Sequence, residues 1–368
     1  MVAPARDERE SVGGNAASIN MALGDLHRAQ YALSDLMRAA QGVAVDAFGL
    51  GPAECSYEIV ASGTHWQLRD YGGDRGSPSL LIVAAPIKRP YIWDLAPSAS
   101  AIRTCLREKL HVHLLEWMPA SPDNAGTGLE ECIVAISESV ARISRQTSPP
   151  VLMGHSLGGT LAAVYAGVVS DDVRALVLLS APLCFRPANC QFRDTLVSLV
   201  PPDLPDSDPF PGSLLSQMSA LASPKAFVWE RFVDAALSVS DPHAFDIHMR
   251  VERWALDEVA LPGKLVRQIV DWLYREDRLS NGTLKINGKL VTPAAVTTPV
   301  LAVVNTDDEV SPLTSVKPFM DALPTERARI IECPGELGVG LQHLGILVGR
   351  QAHARVWPVI LDWIKVRD

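Results

Sequence analysis

The sequence predicts an α/β fold, a mostly parallel, doubly wound sheet carrying a mainly helical insertion. Three observations predict it. Short apolar runs at Leu80–Ala85, Val112–Leu115, Val151–Met153, Leu176–Leu179 and Val300–Val304 read as strands buried on both faces. Segments of helical length and periodicity, such as Leu129–Ile143 and Leu157–Val169, lie between most of them. The alternation fails from about 182 to 291 and then resumes, which marks an insertion over one end of the sheet.

Taken in order, residues 1–45 form an N-terminal segment, polar at first and then helical. Leu23, Leu26, Tyr31, Leu33, Leu36 and Met37 recur at three- and four-residue steps, and Gly42 is the expected stop. A helix packed on the main body is favoured over a docking segment for a partner. Residues 46–181 form the first part of the core. They open with a β-rich stretch, Tyr57 to Leu68, broken at Gly63, and the turn cluster Tyr71 to Gly76. Residues 182–291 form the cap. Its Pro-rich entry at 201–209 suits no regular structure, and helical sequence with Trp229, Phe232, Trp254, Trp272 and Tyr274 follows. Residues 292–368 complete the core.

Composition narrows the function classes. With 48% hydrophobic and 20% charged residues over 368 positions, the chain can bury a large core, which excludes disordered and fibrous classes. A net charge of −9 argues against a broad nucleic-acid surface. The six cysteines form no C-x-x-C pair, so reduced structural thiols are expected rather than a zinc ribbon or a secreted disulfide framework. No apolar run approaches the ~20 residues of a membrane span, and the N-terminus lacks a signal-peptide pattern. A cytoplasmic location is the expectation.

The strongest chemical signal is Gly154-His155-Ser156-Leu157-Gly158, between an apolar strand and an alanine-rich helix. A G-x-S-x-G turn in that context lifts a serine hydroxyl out of the sheet. Small residues two before and two after it remove clashing side chains, and the helix N-terminus favours developing negative charge. Ser156 is the candidate nucleophile, and the Leu157 N–H is one candidate oxyanion donor. A second donor is expected from the loop after the early strand, at Ile87 or Lys88. The base should lie near the C-terminus: His343, on a glycine-rich loop, fits, while His243 and His248 fall in the cap and His353 reads as a surface residue. For the acid, Asp307, Asp308 and Glu309 crowd the end of the strand at 300–304. Asp307 is preferred, with Asp308 second.

Several stretches resemble polyhydroxyalkanoate synthases, an α/β-hydrolase-fold family that polymerises hydroxyacyl-CoA thioesters. They are Pro86–Leu95, the turn at 154–159, Glu252–Asp257 with Pro262-Gly263, Leu273–Leu279, Asp307–Pro312 and His343–Trp357. The resemblance covers roughly residues 80–365 and is similar to the short catalytic-subunit type. It implies an α/β-hydrolase fold and puts Ser156, Asp307 and His343 on the family's nucleophile, acid and base. Three positions depart from it. Ser156 replaces the family's cysteine, Lys88 stands where asparagine is frequent, and the segment from Pro334 to His343 is longer.

A serine acyl-enzyme is an oxoester, nearly isoenergetic with a polyester bond, and its alkoxide leaves less readily than a thiolate. The sequence therefore points first to a serine acyl hydrolase acting on hydroxyacyl esters or thioesters. A polyester-forming hydroxyacyl-CoA acyltransferase is the alternative, and a catalytically idle, granule-associated scaffold is a third. No cofactor is expected; a CoA thioester would be substrate. The partners implied are a small acyl ester or acyl-CoA, a second subunit or second copy, and a polyester granule, with no nucleic acid and no membrane span.

Overall fold

The computed structural model describes residue 26 and residues 29–366, apart from 75, 202–204, 207 and 325–327. The expectations for residues 1–25, including Leu23, and for part of the Pro-rich entry at 201–209 lie outside the described residues. Eight strands form one sheet: β1 (Glu58–Ser62), β2 (Trp66–Asp70), β3 (Ser79–Val83), β4 (His111–Trp117), β5 (Val151–His155), β6 (Ala175–Leu179), β7 (Val300–Asn305) and β8 (Ala328–Cys333). Their spatial order is β1-β2-β4-β3-β5-β6-β7-β8. Strands β3 to β8 run parallel, and β1 and β2 are antiparallel additions at one edge.

The apolar runs became the central strands because helices cover both faces. Every residue of β3, β5, β6 and β7 is buried. The helix Leu129–Ser144 buries Leu129, Cys132, Ile133, Ile136, Val140 and Ile143, one face at three- and four-residue spacing. The break foreseen at Gly63 is a turn between β1 and β2; a Cβ there would lie 2.4 Å from Trp66 Nε1.

Two sequence expectations are corrected. Gly42 does not stop the N-terminal helix, which continues over 29–45 into a wide turn at Asp46–Leu50. Gly42 instead makes room for Arg253, whose guanidinium carbon would lie 2.8 Å from a Cβ at that position. The helix also packs through polar groups. Asp35 accepts the Ser213 N–H at 2.9 Å and Arg38 donates to Ala255 O at 2.9 Å, while Leu33, Leu36 and Met37 are exposed. His353 is not a surface residue: its Nε2 lies 2.8 Å from Leu347 O and its ring stacks on Trp357.

Between β6 and β7 the chain builds the helices Gln191–Leu199, Gly212–Ala222, Glu230–Ser238, Pro242–Ala255 and Gly263–Gln268, then a hairpin at 284–291. The helices roof the C-terminal ends of the strands. The hairpin packs elsewhere, with Val291 against Gly167 of the helix that follows Ser156. All six cysteines are free, and all but Cys55 are fully buried. Burial holds the Cys55 and Cys333 thiols up at about 11 and raises Cys105, Cys132 and Cys190 as well. No described helix is long and apolar enough to cross a membrane.

Candidate active site

Strand β5 ends at His155, the helix Leu157–Val168 begins at Leu157, and Ser156 occupies the single residue between them. Its backbone sits at φ 55° and ψ −133°, a conformation costly for a residue with a side chain. The glycines make the turn possible. A Cβ at Gly158 would lie 2.2 Å from Val83 O, and one at Gly154 would lie 2.5 Å from Gly159 N. The helix can therefore start directly against the ends of β3 and β5. Leu157, its first residue, has no intrahelical acceptor for its N–H.

His343 lies on the loop after β8, buried, with Nδ1 2.7 Å from Asp308 Oδ2. Its Nε2 is buried and has no hydrogen-bond partner. Ser156 and His343 line the same cavity of about 470 Å³. The sequence preference for Asp307 is corrected: the carboxylate on the imidazole belongs to Asp308. Local turn chemistry decides which of the two neighbours faces in. Asp308 Oδ1 accepts the N–H groups of Val310 at 2.8 Å and Ser311 at 3.1 Å, which leaves Oδ2 for the ring. Asp307 is exposed, donates its N–H to Asn305 Oδ1 and accepts the Gly335 N–H at 3.2 Å. Burial alone would raise the Asp308 carboxyl. The His343 imidazole and the two N–H groups outweigh burial and hold it below the usual carboxylate range.

Three groups that sequence reasoning passed over shape this geometry. His155 is buried and donates from Nε2 to His343 O at 2.7 Å, with the two rings 4.6 Å apart. Burial, reinforced by the neighbouring His343, pushes its pKa down to about 3, so it stays a neutral donor. Asp234, buried on the roof helix Glu230–Ser238, accepts from Gly338 N at 2.7 Å, Gly340 N at 2.9 Å and His248 Nδ1 at 2.7 Å. This carboxylate ties the long glycine-rich loop of His343 to two roof helices. Glu336, on the same loop, accepts the N–H groups of Gln351 and Ala352 at 2.7 and 3.0 Å.

Ala84, Ala85, Ile87 and Lys88 all border the cavity. Lys88 is heavily engaged. Its backbone bridges to Glu258, and its Nζ donates to Glu258 Oε2 and Ala255 O, each at 2.7 Å. Burial lowers its pKa, and Glu258 opposes that. Further pairs fasten the same loop to the roof. Tyr91 Oη donates to Asp257 at 2.6 Å and Trp254 Nε1 to Arg89 O at 2.7 Å, while Arg253 ties Asp257 to Asp46 of the turn after the N-terminal helix. The stretches 86–95 and 252–257, distant in sequence, thus form one interlocked wall. Beyond it the cavity turns apolar, against Val200, Phe210, Met218, Leu261 and Val270.

A family model for the alpha/beta hydrolase fold matches residues 130–339, more than half of the chain, and the protein belongs to that family. The matched span contains Ser156 and Asp308 and ends just before His343. Within the family, the chain is similar to the poly(3-hydroxyalkanoate) polymerase subunit PhaC. The PhaC of Haloferax mediterranei is 28% identical over 295 residues, 78% of this chain and 59% of that protein. The PhaC of Allochromatium vinosum is 25% identical over 334 residues, 87% of this chain and 90% of that protein. The chain spans only about three-fifths of the haloarchaeal relative. Among solved structures, BpoC of Mycobacterium tuberculosis H37Rv shares the fold, with a TM-score of 0.54 and 15% identity over 84% of this chain and 99% of that one.

Proposed function

We propose that the protein is an acyl-transferring enzyme that uses Ser156 as nucleophile, His343 as base and Asp308 as the acid that orients it. Its main outcome is hydrolysis of hydroxyacyl esters or thioesters. One observation carries this reading: a strained serine at a strand-to-helix turn shares a cavity with a buried imidazole, whose far nitrogen is held by a buried carboxylate 2.7 Å away. In the reaction Ser156 Oγ attacks the acyl carbonyl while His343 Nε2 takes its proton. The N–H of Leu157 and one from the loop at Ile87 and Lys88 receive the developing oxyanion. Asp308 stabilises the imidazolium, which then protonates the departing thiol or alcohol. Water, activated by the same imidazole, releases the acid and restores Ser156.

A second reading is favoured by the similarity to PhaC along most of the chain. There the acyl group leaves Ser156 for the hydroxyl of another hydroxyacyl unit, and a polyester grows. Incubation with 3-hydroxybutyryl-CoA followed by intact-mass spectrometry separates the two. Hydrolysis gives free acid and CoA with at most one acyl unit on the protein. Polymerisation gives a ladder of added units. In both cases Ser156→Ala abolishes the adduct and its labelling by a fluorophosphonate; labelling that survives would refute the nucleophile.

A further inference from the structure

We propose that Asp70, His111 and His113 form a binding site for one divalent transition-metal ion of the zinc class, clipping the antiparallel edge of the sheet to its parallel core. The three side chains share one face because of register. Asp70 of β2 stands opposite His113 of β4, and His111 lies two residues before it. Their donor atoms lie within 4.8 Å of one another. Both imidazoles turn Nε2 to the same carboxylate, His111 at 2.9 Å from Oδ1 and His113 at 3.6 Å from Oδ2, with the rings stacked 4.4 Å apart.

Hydrogen bonds satisfy His111 and Asp70 but not His113. His113 is buried, yet its Nδ1 has no hydrogen-bond partner and its Nε2 contact is too long to be a hydrogen bond. A buried imidazole without partners is costly. A cation among the three donors would give His113 Nε2 the partner it lacks and neutralise the carboxylate, while Nδ1 stays outside the site. Two imidazoles and one carboxylate suit zinc, cobalt, nickel or copper rather than magnesium or calcium. Glu58 of β1 stands opposite Asp70 in register but is exposed and lies outside the cluster of donor atoms, so water would complete the coordination. The Gly72 N–H, 2.7 Å from Asp70 Oδ1, already helps to fix the carboxylate.

This site is remote from Ser156. His111 begins β4, whereas the cavity lies past the opposite end of the parallel strands, about 13 Å or more along β4 at roughly 3.3 Å per residue. The ion would join β2 to β4 and take no part in acyl transfer, so the proposal stands apart from the functional reading.

The test is titration of the EDTA-treated, dialysed full chain with Zn²⁺ alone at pH 7.5, read by calorimetry and by thermal unfolding, with Co²⁺ as a spectroscopic stand-in. One ion per chain, a rise in Tm and a Co²⁺ spectrum free of sulfur-to-metal bands are expected. His111→Gln, a partly exposed position that spares the core, should weaken binding at least about tenfold, with Asp70→Asn doing the same. Binding below one ion per chain, undiminished binding in both variants, or sulfur bands that assign the ion to a cysteine would each overturn the proposal.

Discussion

The floor and the roof of the cavity are built on different physics. The floor is the sheet and its flanking helices, where Leu80, Leu81, Ile82 and Val83 are wholly buried in one apolar core. Ser156 and Asp308 are fixed to it through strand ends and tight turns. The roof reaches that core through Ile247, Val251, Leu265 and Ile269 and has a far smaller apolar cluster of its own, and charged and polar clasps also join it to the floor: Lys88 to Glu258, Tyr91 to Asp257, and Asp234 to the His343 loop. A close-packed core resists rearrangement, whereas hydrogen bonds and ion pairs can be exchanged for water at small net cost. On the proposed function, the difference teaches that the nucleophile and its acid are set by the floor, while the roof bears on access to them and on the pose of the base.

If that division holds, the largest effect comes from the floor. Asp308→Asn leaves the turn in place but withdraws the charge that holds His343. Turnover of a chromogenic acyl ester should fall by about 10³- to 10⁴-fold. Asp307→Asn, one residue away and exposed, should change it by no more than about twofold. Equal losses in the two variants would erase the distinction drawn between them.

A roof variant should attenuate the rate rather than abolish it. Asp234→Ala frees Gly338 and Gly340 and loosens the loop that carries His343. We expect kcat to fall by roughly 10- to 100-fold with a smaller change in KM, the scale of a misplacement of about 1 Å. Asp234→Asn keeps one acceptor oxygen and should recover part of the loss. A change in KM alone would make the clasp a matter of access only.

The smallest effect is on stability and sharpens the account of the floor. His155 takes up a proton near pH 3 when folded and near 6.5 when unfolded. Between those values the unfolded chain binds the extra proton, so stability falls as pH drops below about 6.5. Urea unfolding at pH 5 should show a loss of about 2 kcal/mol relative to pH 7 from this group, at about 1.4 kcal/mol per pH unit. His353, also lowered by burial, acts in the same direction. His155→Gln should flatten the slope; an unchanged slope would place the pH dependence elsewhere.

The floor was legible in the sequence because its signals are local. Each buried run became a strand, and the glycines around Ser156 mark where backbones must approach within van der Waals contact. The choice between Asp307 and Asp308 was not legible. It depends on which carboxylate accepts the N–H groups of Val310 and Ser311, a turn geometry with no compositional trace. The clasp at Asp234 was hidden for another reason: its partners Gly338 and Gly340 lie about a hundred residues away, and backbone donors leave no mark in side-chain patterns. The stretches 86–95 and 252–257 stood out only by resemblance. The structure supplies their physical reason, since each is the other's binding partner. Gly42 misled because a gap for Arg253 and a helix terminator use the same residue.

The buried thiols have a practical consequence. With all of its native cysteines but Cys55 buried, the folded protein presents few sulfurs to an alkylating reagent, whereas Ser156→Cys would put one at a helix N-terminus beside an imidazole, conditions that promote thiolate formation. That variant would therefore serve as a selective anchoring point for crosslinkers, dyes or trapped acyl chains, and the remaining sulfurs, slow to react until the chain opens, would double as a built-in clock for unfolding.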